Sequence, residues 1–230
     1  MRSRSVAGAY DRGRLLLRAH QYAAAAKQFQ QAIRLHQNIP ASYFGLGTAY
    51  FGEGRYPQAY DAFRHASDMN PGNAEYVYKA GLGALYADKA HPAIAYATRF
   101  IHLRPRLYSG YHLRFLAFNK ALMRKNLLPD ARQEVKLRPR DADSWNDLGI
   151  ALGQNAKYVS SISAFSTAIS MRANNYEYYV NRAVVENLNK QPGAALQDLR
   201  TARRLAPDGS TRSSIDHAIK GLTASMRHHK

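Results

Sequence analysis

The chain has 230 residues, of which 46% are hydrophobic, and it carries 33 Lys and Arg against 16 Asp and Glu, a net charge of +17. It has no cysteine, which excludes disulfides, thiol catalysis and thiolate metal sites. No apolar run approaches the ~18 residues of a membrane span, and no signal-peptide core follows the basic start. We therefore expect a cytoplasmic protein by default, or a periplasmic or other location if the chain is a processed fragment.

The positive charge is spread evenly along the chain. Residues 1–115 hold 15 basic and six acidic side chains, and residues 116–230 hold 18 and ten. An even excess belongs to the folded body rather than to a tail, and it favours acidic partners. The candidates are an acidic protein segment, a nucleic acid, an anionic polysaccharide or a phospholipid surface.

A pattern of apolar and small residues repeats every 34 residues. In the copy at 40–73 a glycine break separates two apolar stripes, which contain Tyr43, Leu46, Gly47 and Tyr50, then Ala59, Phe63 and Ala66, before Pro71 closes the copy. Neither stripe could be buried by one helix alone, so two helices are expected to pack as an antiparallel hairpin. Six copies without insertions fill 6–39, 40–73, 74–107, 108–141, 142–175 and 176–209.

The order of aromatic, Leu-Gly, Tyr, Ala, Phe and Pro in these copies resembles the tetratricopeptide repeat (TPR). The resemblance implies an all-α fold, a right-handed superhelical solenoid of antiparallel helical hairpins. It also implies a non-catalytic protein–protein interaction scaffold or adaptor, which binds a partner peptide or protein segment in its concave groove. Together with the basic composition, it leads us to expect an acidic partner.

The two ends of the chain lie outside the six copies. Residues 1–5 are expected to form a frayed basic arm. Residues 210–230 are expected to form a capping helix and tail, because Ile215, Ile219 and Leu222 make a one-sided apolar stripe. The tail from Met226 onward is expected to fray.

The fourth copy, 108–141, departs from the pattern. Phe115 and Leu127 stand where the other copies place small residues, and we expect these side chains to push the two helices apart. The first helix should run long, and the second should extend from near Pro129 to near Leu137. Two interpretations stay open, namely a drifted copy that still packs and a bend or hinge between copies one to three and copies five and six.

The sequence carries no sign of a catalytic or metal site. We find no glycine-rich phosphate loop and no His-Glu-x-x-His pair, and the nine histidines are scattered over different copies. We therefore expect neither an enzyme nor a bound cofactor or metal ion.

The resemblance places the first helix of each copy on the groove. The partner-binding residues this implies are Tyr10, Arg14, Phe44, Phe51, Tyr78, Lys79, Tyr86, Asn119, Asn146, Asn181 and Asn187. The early half should be apolar and basic, with aromatic anchors, whereas the later half should be amide-rich and mildly acidic, suited to a peptide backbone. The alternative is that Phe44, Phe51 and Tyr86 only pack between adjacent hairpins.

A second candidate surface lies at the ends of the second helices, where many family members carry an acid. The residues of this anion-binding edge are His36, Arg104, Arg106, Arg138, Arg140 and Arg172. They could bind nucleic acid or an anionic polysaccharide, or they could serve only as favourable cations at helix C-termini. A self-associating architectural protein is the third alternative.

Overall fold

The computed structural model describes residues 8–228, which contain helices and no strand. The chain forms two compact units, Met1–Leu122 (unit 1) and Met123–Lys230 (unit 2). The arm predicted at 1–5 lies outside the described residues. Within residues 8–228, no helix has both the length and the hydropathy that a bilayer span requires.

Unit 1 is a stack of helical hairpins. Its helices are α1 (Ala9–Arg18), α2 (Tyr22–Arg34), α3 (Ile39–Gly52), α4 (Tyr56–Met69), α5 (Ala74–Tyr86), α6 (Ala90–Leu103) and α7 (Tyr108–Lys120). Three hairpins form, α1 with α2, α3 with α4 and α5 with α6. Each hairpin packs on the next helix along the chain. Packing between neighbours in sequence is the architecture of an α-solenoid.

Unit 2 is built in the same way. It begins with a short 3₁₀ helix (Arg124–Asn126) and continues with α8 (Leu127–Leu137), α9 (Ala142–Gln154), α10 (Tyr158–Met171), α11 (Tyr176–Leu188), α12 (Pro192–Leu205) and α13 (Gly209–His228). Helices α9 and α10 form one hairpin and α11 and α12 another, while α8 packs on α9 and α13 on α12. The all-α solenoid predicted from the repeat is therefore confirmed.

In at least one hairpin of each unit, a glycine on the first helix packs closely against a phenylalanine on the second. A Cβ atom on Gly47 would lie 2.6 Å from the Phe63 ring, and one on Gly149 would lie 2.6 Å from the Phe165 ring. Because the glycines leave that space empty, both rings are buried, each with 1% of its surface exposed. The space over Gly47 is therefore filled by the Phe63 ring.

The turns between hairpins are held by side chains as well as by backbone. Asn73 and Asp141 cap α5 and α9, accepting hydrogen bonds from backbone N–H groups of the first helical turn. An aromatic donor repeats at each later turn, from Tyr111 to the carbonyl of Pro105, from Trp145 to that of Pro139 and from Tyr179 to that of Ala173, over 3.0, 2.9 and 3.0 Å. These bonds tie the start of each first helix to the loop that precedes it.

The division between the units falls inside the predicted fourth copy, where the repeat pattern breaks. Helix α7 has 13 residues, as α5 and α9 do, so the prediction of a long first helix was wrong. Helix α8 ends at Leu137 as predicted but begins at Leu127. It can start before Pro129 because a proline in the first helical turn lacks only an N–H that has no helical partner there.

The C-terminal helix α13 covers the last hairpin of unit 2. Ile215 is buried against the α11–α12 core, and Ile219 and Leu222 pack against the same cluster. The helix continues through Met226 and Arg227, which the sequence prediction had assigned to a frayed tail. The final residues, 229–230, lie outside the described range.

Candidate partner-binding faces

The predicted aromatic anchors of unit 1 pack largely on one another. The Phe44 ring lies 4.8 Å from that of Tyr76, measured between ring centroids. Phe51 and Tyr56 lie 5.1 Å apart, and Tyr86 lies 5.1 and 5.0 Å from them, so the three rings form a closed cluster. Phe44 and Phe51 are half-buried by this packing between hairpins, whereas Tyr86 stays 53% exposed.

A cleft of about 640 Å³ at the loop end of unit 1 brings together two residues that the sequence had placed on different surfaces. Tyr78, predicted for the groove, and Arg104, predicted for the edge, both line it, together with Glu75. The Tyr78 ring packs against Phe100, with centroids 5.0 Å apart, and burial raises the pKa of its hydroxyl. None of the other aromatic residues predicted for the groove lines this cleft.

A smaller cleft, the α1–α3 cleft, joins aromatic rings with cations. It measures about 280 Å³ and is lined by Tyr10, Arg14, Arg18 and Phe44, among others. The Arg14 guanidinium lies over the Tyr10 ring, 5.7 Å from its centroid. Both arginines are exposed, so the cleft has an apolar floor and a positively charged rim.

The α5–α7 cleft, of about 510 Å³, is the apolar counterpart further along unit 1. Leu82, Tyr86 and Leu116 line it, with His112 and Lys120 adding basic groups. Lys120 forms an ion pair with Asp88 at 2.9 Å, and both side chains are well exposed. Such an exposed pair contributes little to stability and can exchange its partner.

The other predicted residues of unit 1 are spread over its surface. Lys79 is half-buried on α5, and Asn119 is exposed in the last turn of α7. His36 is exposed in a left-handed turn with φ 53°, and Arg104 donates to the carbonyl of Leu103 over 2.9 Å. Arg106 is exposed in the loop after α6.

In unit 2, two of the predicted asparagines form a hydrogen-bonded relay between α9 and α11. The Asn181 amide nitrogen donates to the Asn146 oxygen over 2.9 Å, and the Asn146 nitrogen donates to an Asp147 oxygen over 3.4 Å. The Asp147 carboxylate can only accept a hydrogen bond. These two hydrogen bonds therefore fix the orientation of both side-chain amides. The third asparagine, Asn187, is exposed on α11.

Arg172, predicted for the anion-binding edge, is exposed and forms an ion pair with an acid of its own unit. It donates to both oxygens of Asp143, over 3.1 and 3.0 Å, and to the hydroxyl of Tyr178 over 3.2 Å. Tyr178 also donates to Asp143. Burial, and then its hydrogen bond to Asp143, raises the pKa of Tyr178 to about 12, and the bond to Asp143 raises that of Arg172. Arg138 and Arg140 are exposed at the end of α8.

A buried charge cluster on α11 and α12 was missed by the sequence analysis. Arg182 donates to both oxygens of Asp198, over 2.6 and 2.8 Å, and to the hydroxyl of Ser166 over 2.9 Å. Glu186 lies 3.7 Å from the same guanidinium, and burial and then Asp198 raise its pKa to about 7. The sequence signal that was available is the presence of charged residues at repeat positions that are expected to be buried. That signal does not show which of these residues pair with each other.

The later groove is also more apolar than the sequence predicted. Val184 and Leu188, one turn apart on α11, are 56% and 53% exposed. With Ile150 of α9 and Asn181 they line the α9–α11 cleft of about 420 Å³. Amides are present as expected, but aliphatic side chains form much of the surface beside them.

Stacked hairpins, with clefts along their first helices, define an α-solenoid of the protein-interaction class. A family model described as Tetratricopeptide repeat matches residues 10–74 and 146–210, more than half of the chain. The chain therefore belongs to the tetratricopeptide repeat family, as its sequence pattern indicated. Proteins of this family are typically non-catalytic scaffolds, and the fold supports this general role.

Individual relatives are distant. The chain is 23% identical over 195 residues to the BBSome complex member BBS4 homolog of Drosophila melanogaster, covering 81% of this chain and only 38% of that protein's length. Among solved structures, MamA 41-end from Desulfovibrio magneticus RS-1 has a TM-score of 0.69 at 16% identity and covers 75% of this chain and 98% of its own. YrrB, described as a TPR protein with an unusual peptide-binding site, has a TM-score of 0.67 at 17% identity. The match covers 85% of this chain and 99% of the YrrB chain. Such similarities indicate the fold alone.

Proposed function

We propose that this protein is a non-catalytic scaffold whose unit 1 binds an acidic segment of a partner protein and uses an apolar side chain of that segment as the anchor. The α1–α3 cleft is the observation that carries the proposal. Arg14 and Arg18 provide charge beside the rings of Tyr10 and Phe44. Carboxylates of the segment would meet the arginines, while its apolar side chain would fill the cleft.

The cations of this face are available because few acids of the chain compete for them. Arg14 is 3.9 Å from the Asp11 carboxylate, and both side chains are more than half exposed, so their attraction is weak. Arg18 and Lys79 make no ion pair with any residue in 8–228. A bound carboxylate would therefore gain attraction while competing only with the weak Arg14–Asp11 pair.

The α5–α7 cleft offers a second contact for the same segment. Tyr86 is the most exposed of the aromatic residues predicted for this face, and it lies beside Leu82 and Leu116. Tyrosine buries a large area while losing little side-chain freedom, which suits an anchor. The likeness of this fold to that of YrrB, a TPR protein with an unusual peptide-binding site, supports a peptide as the ligand.

Binding of nucleic acid or an anionic polysaccharide along the basic edge is the second candidate. Arg104 and Arg106 favour it, because both are exposed and neither forms an ion pair within residues 8–228. Arg172, a third arginine of that edge, is engaged by Asp143, although both side chains are nearly half exposed. The aromatic rings that could stack on bases lie mainly on other surfaces, which weakens this candidate further.

Fluorescence anisotropy with a labelled Asp- and Glu-rich peptide containing one Leu and one Phe tests the first candidate. Reversing both Arg14 and Arg18 to Glu should weaken binding at least about tenfold, because two attractive contacts become repulsive. Arg34→Glu is the matched control, since Arg34 is an exposed arginine on the second helix of the same hairpin.

The alternative is tested by the same assay with heparin and single-stranded DNA as probes. Arg104→Glu combined with Arg106→Glu should leave the peptide affinity unchanged. If this pair abolishes binding of all three probes while Arg14→Glu and Arg18→Glu have no effect, the proposed face is wrong and the edge is the binding surface.

A further inference from the structure

We infer that the loop edge of unit 1 docks on the surface of an anionic lipid bilayer. The loop edge consists of the three segments that lead from one hairpin to the next, which are 34–38, 69–73 and 103–107. A bilayer goes beyond the function proposed above, because it is another kind of partner and it uses another surface. The exposure, the rigidity and the charge of the three segments support it.

The three segments lie side by side at one end of the hairpins of unit 1. The ring of Phe44, near the start of α3, lies 4.8 Å from that of Tyr76, near the start of α5, measured between centroids. The first and second segments, which precede these helices, are therefore adjacent. The second and third segments meet in the cleft of about 640 Å³, which Asn70 lines together with Arg104 and Leu107.

Each segment exposes one large apolar side chain. Leu35, Met69 and Leu107 have 55%, 48% and 47% of their surface exposed. A single exposed apolar residue is ordinary, but three along one edge of a hairpin stack form a surface that gains free energy when an apolar phase covers it.

Hydrogen-bonded turns hold the second and third segments in place. The Asn73 N–H donates to the Asn70 carbonyl over 3.1 Å, and the Leu107 N–H donates to the Arg104 carbonyl over 3.1 Å. Each turn has a proline in its second position, where the fixed φ of proline favours a turn. The exposed apolar side chains beside these turns are therefore presented by a set backbone and have no core position to move into.

The charge of the loop edge favours an anionic surface. The three segments contain Arg34, Arg104 and Arg106 but no Asp or Glu. All three arginines are exposed, and none forms an ion pair with another residue in the described range 8–228. Of the acids that flank the segments, Asp68 already pairs within α4, which leaves the exposed Glu75 as the competing carboxylate.

The side chains between these arginines favour a bilayer over a polyanion. The three segments contain no Phe, Tyr or Trp on which the bases of a single strand could stack. Duplex DNA and heparin offer anionic groups but no apolar phase for leucine and methionine. An anionic bilayer offers both, because guanidinium groups can stay among the lipid phosphates while aliphatic side chains reach the acyl boundary.

Co-sedimentation of the full chain with vesicles of phosphatidylcholine containing about 30% phosphatidylglycerol, at about 150 mM NaCl, tests the inference. Met69→Ser with Leu107→Ser should lower the partition coefficient at least about fivefold, because the apolar contact with the bilayer is lost. Arg104→Glu with Arg106→Glu should lower it at least about tenfold, because two attractive charges become repulsive. The four side chains are exposed, so the fold should be retained in both variants.

Two control variants match these changes away from the loop edge. Leu15→Ser replaces a leucine of α1 that is 59% exposed. Lys27→Glu with Lys89→Glu changes the net charge as much as the arginine reversals do, on two exposed lysines outside the three segments. Each control should change the partition coefficient by less than about twofold, because charges more than about 8 Å from the membrane are largely screened at this salt concentration.

An absence of binding to the anionic vesicles, equal binding to vesicles of phosphatidylcholine alone, or equal losses in the controls would each overturn the inference. Heparin and duplex DNA are tested in parallel. If the arginine reversals abolish binding to vesicles, heparin and DNA alike while Met69→Ser with Leu107→Ser changes none of them, the edge is a polyanion surface and not a membrane site. The serine substitutions should leave the affinity for the acidic peptide unchanged, so this inference and the proposed function fail independently.

Discussion

The two units share one packing scheme, but the first-helix faces that they build differ in charge. Helices α1, α3, α5 and α7 carry six cations and two acids, which are Arg12, Arg14, Arg18, Lys79, Arg114 and Lys120 against Asp11 and Glu75. Helices α9 and α11 carry one cation and four acids, which are Arg182 against Asp143, Asp147, Glu177 and Glu186. Both units are nevertheless basic in total, with 16 basic and six acidic residues in 1–122 and 17 and ten in 123–230.

Burial separates the units further. Five carboxylates of unit 2 are buried, namely Asp130, Glu134, Asp147, Glu186 and Asp198, whereas the buried polar side chains described in unit 1 are the serines Ser42 and Ser67. The difference teaches that net charge does not reveal the role of a cation. Arg172 and Arg182 of unit 2 neutralise acids of their own unit, and Arg182 joins α11 to α12, whereas the arginines on the α1–α3 cleft remain available to a partner.

The largest effect should come from removing an arginine that serves the fold. Arg182→Ala leaves Asp198 buried without its partner and should lower the free energy of unfolding by about 3 kcal/mol or more. Arg14→Ala in unit 1 should change it by less than about 0.5 kcal/mol, because its pair with Asp11 is long and exposed. Urea unfolding followed by circular dichroism measures the free energy of unfolding of both variants. Equal decreases in the two variants would contradict the proposed difference between the units.

The glycine–phenylalanine packing that the two units share should lose the same stability in both when the glycine is replaced. Gly47→Val and Gly149→Val each place side-chain atoms into a buried phenylalanine ring, and each should cost about 2 kcal/mol. The same urea experiment compares them. Gly193→Val is a control, because a Cβ there meets nothing within 4 Å. A loss in one variant only would show that the hairpins are not equivalent.

Buried Glu186 should make the stability of unit 2 depend on pH. Its pKa is raised from 4.5 to about 7, so the folded state favours the protonated acid. The resulting stabilisation is complete below about pH 4.5 and is lost as the pH rises through about 7, a change of about 3 kcal/mol. Glu186→Gln should remove this part of the profile. Superimposable profiles of wild type and variant between these pH values would contradict the assignment.

The smallest effect concerns the Asp143 cluster. Tyr178→Phe removes one hydrogen bond to Asp143 while Arg172 still pairs with that carboxylate, so it should cost about 1 kcal/mol. Thermal unfolding measures the change. Tyr179→Phe, which removes a hydrogen bond to the Ala173 carbonyl, serves as the comparison in the same turn. A loss above about 3 kcal/mol would mean that Arg172 does not keep the carboxylate paired.

Periodicity predicted the fold because hairpin packing uses the same small and aromatic residues in several copies, as Gly47 with Phe63 and Gly149 with Phe165 show. The side-chain pairing on the candidate binding faces was less predictable, because it depends on which residues of different helices lie close together in the fold. Arg172 meets Asp143, 29 residues earlier, and Arg182 meets Asp198, 16 residues later. One signal was available, since Asn146 and Asn181 occupy nearly equivalent places in adjacent copies and do bind each other. The pairing of acids with arginines has no such periodic mark.

Hydrogen exchange of the full chain, with and without the acidic Leu- and Phe-containing peptide, tests the central claim most directly. The claim is that the exposed arginines of the α1–α3 cleft receive an acidic partner, while Arg172 and Arg182 of unit 2 are paired with acids of that unit. The account predicts added protection in α1 and α3 and none in α9 and α11, and Arg14→Glu with Arg18→Glu should remove that protection. Added protection confined to α9 and α11, or unchanged by the two reversals, would contradict it.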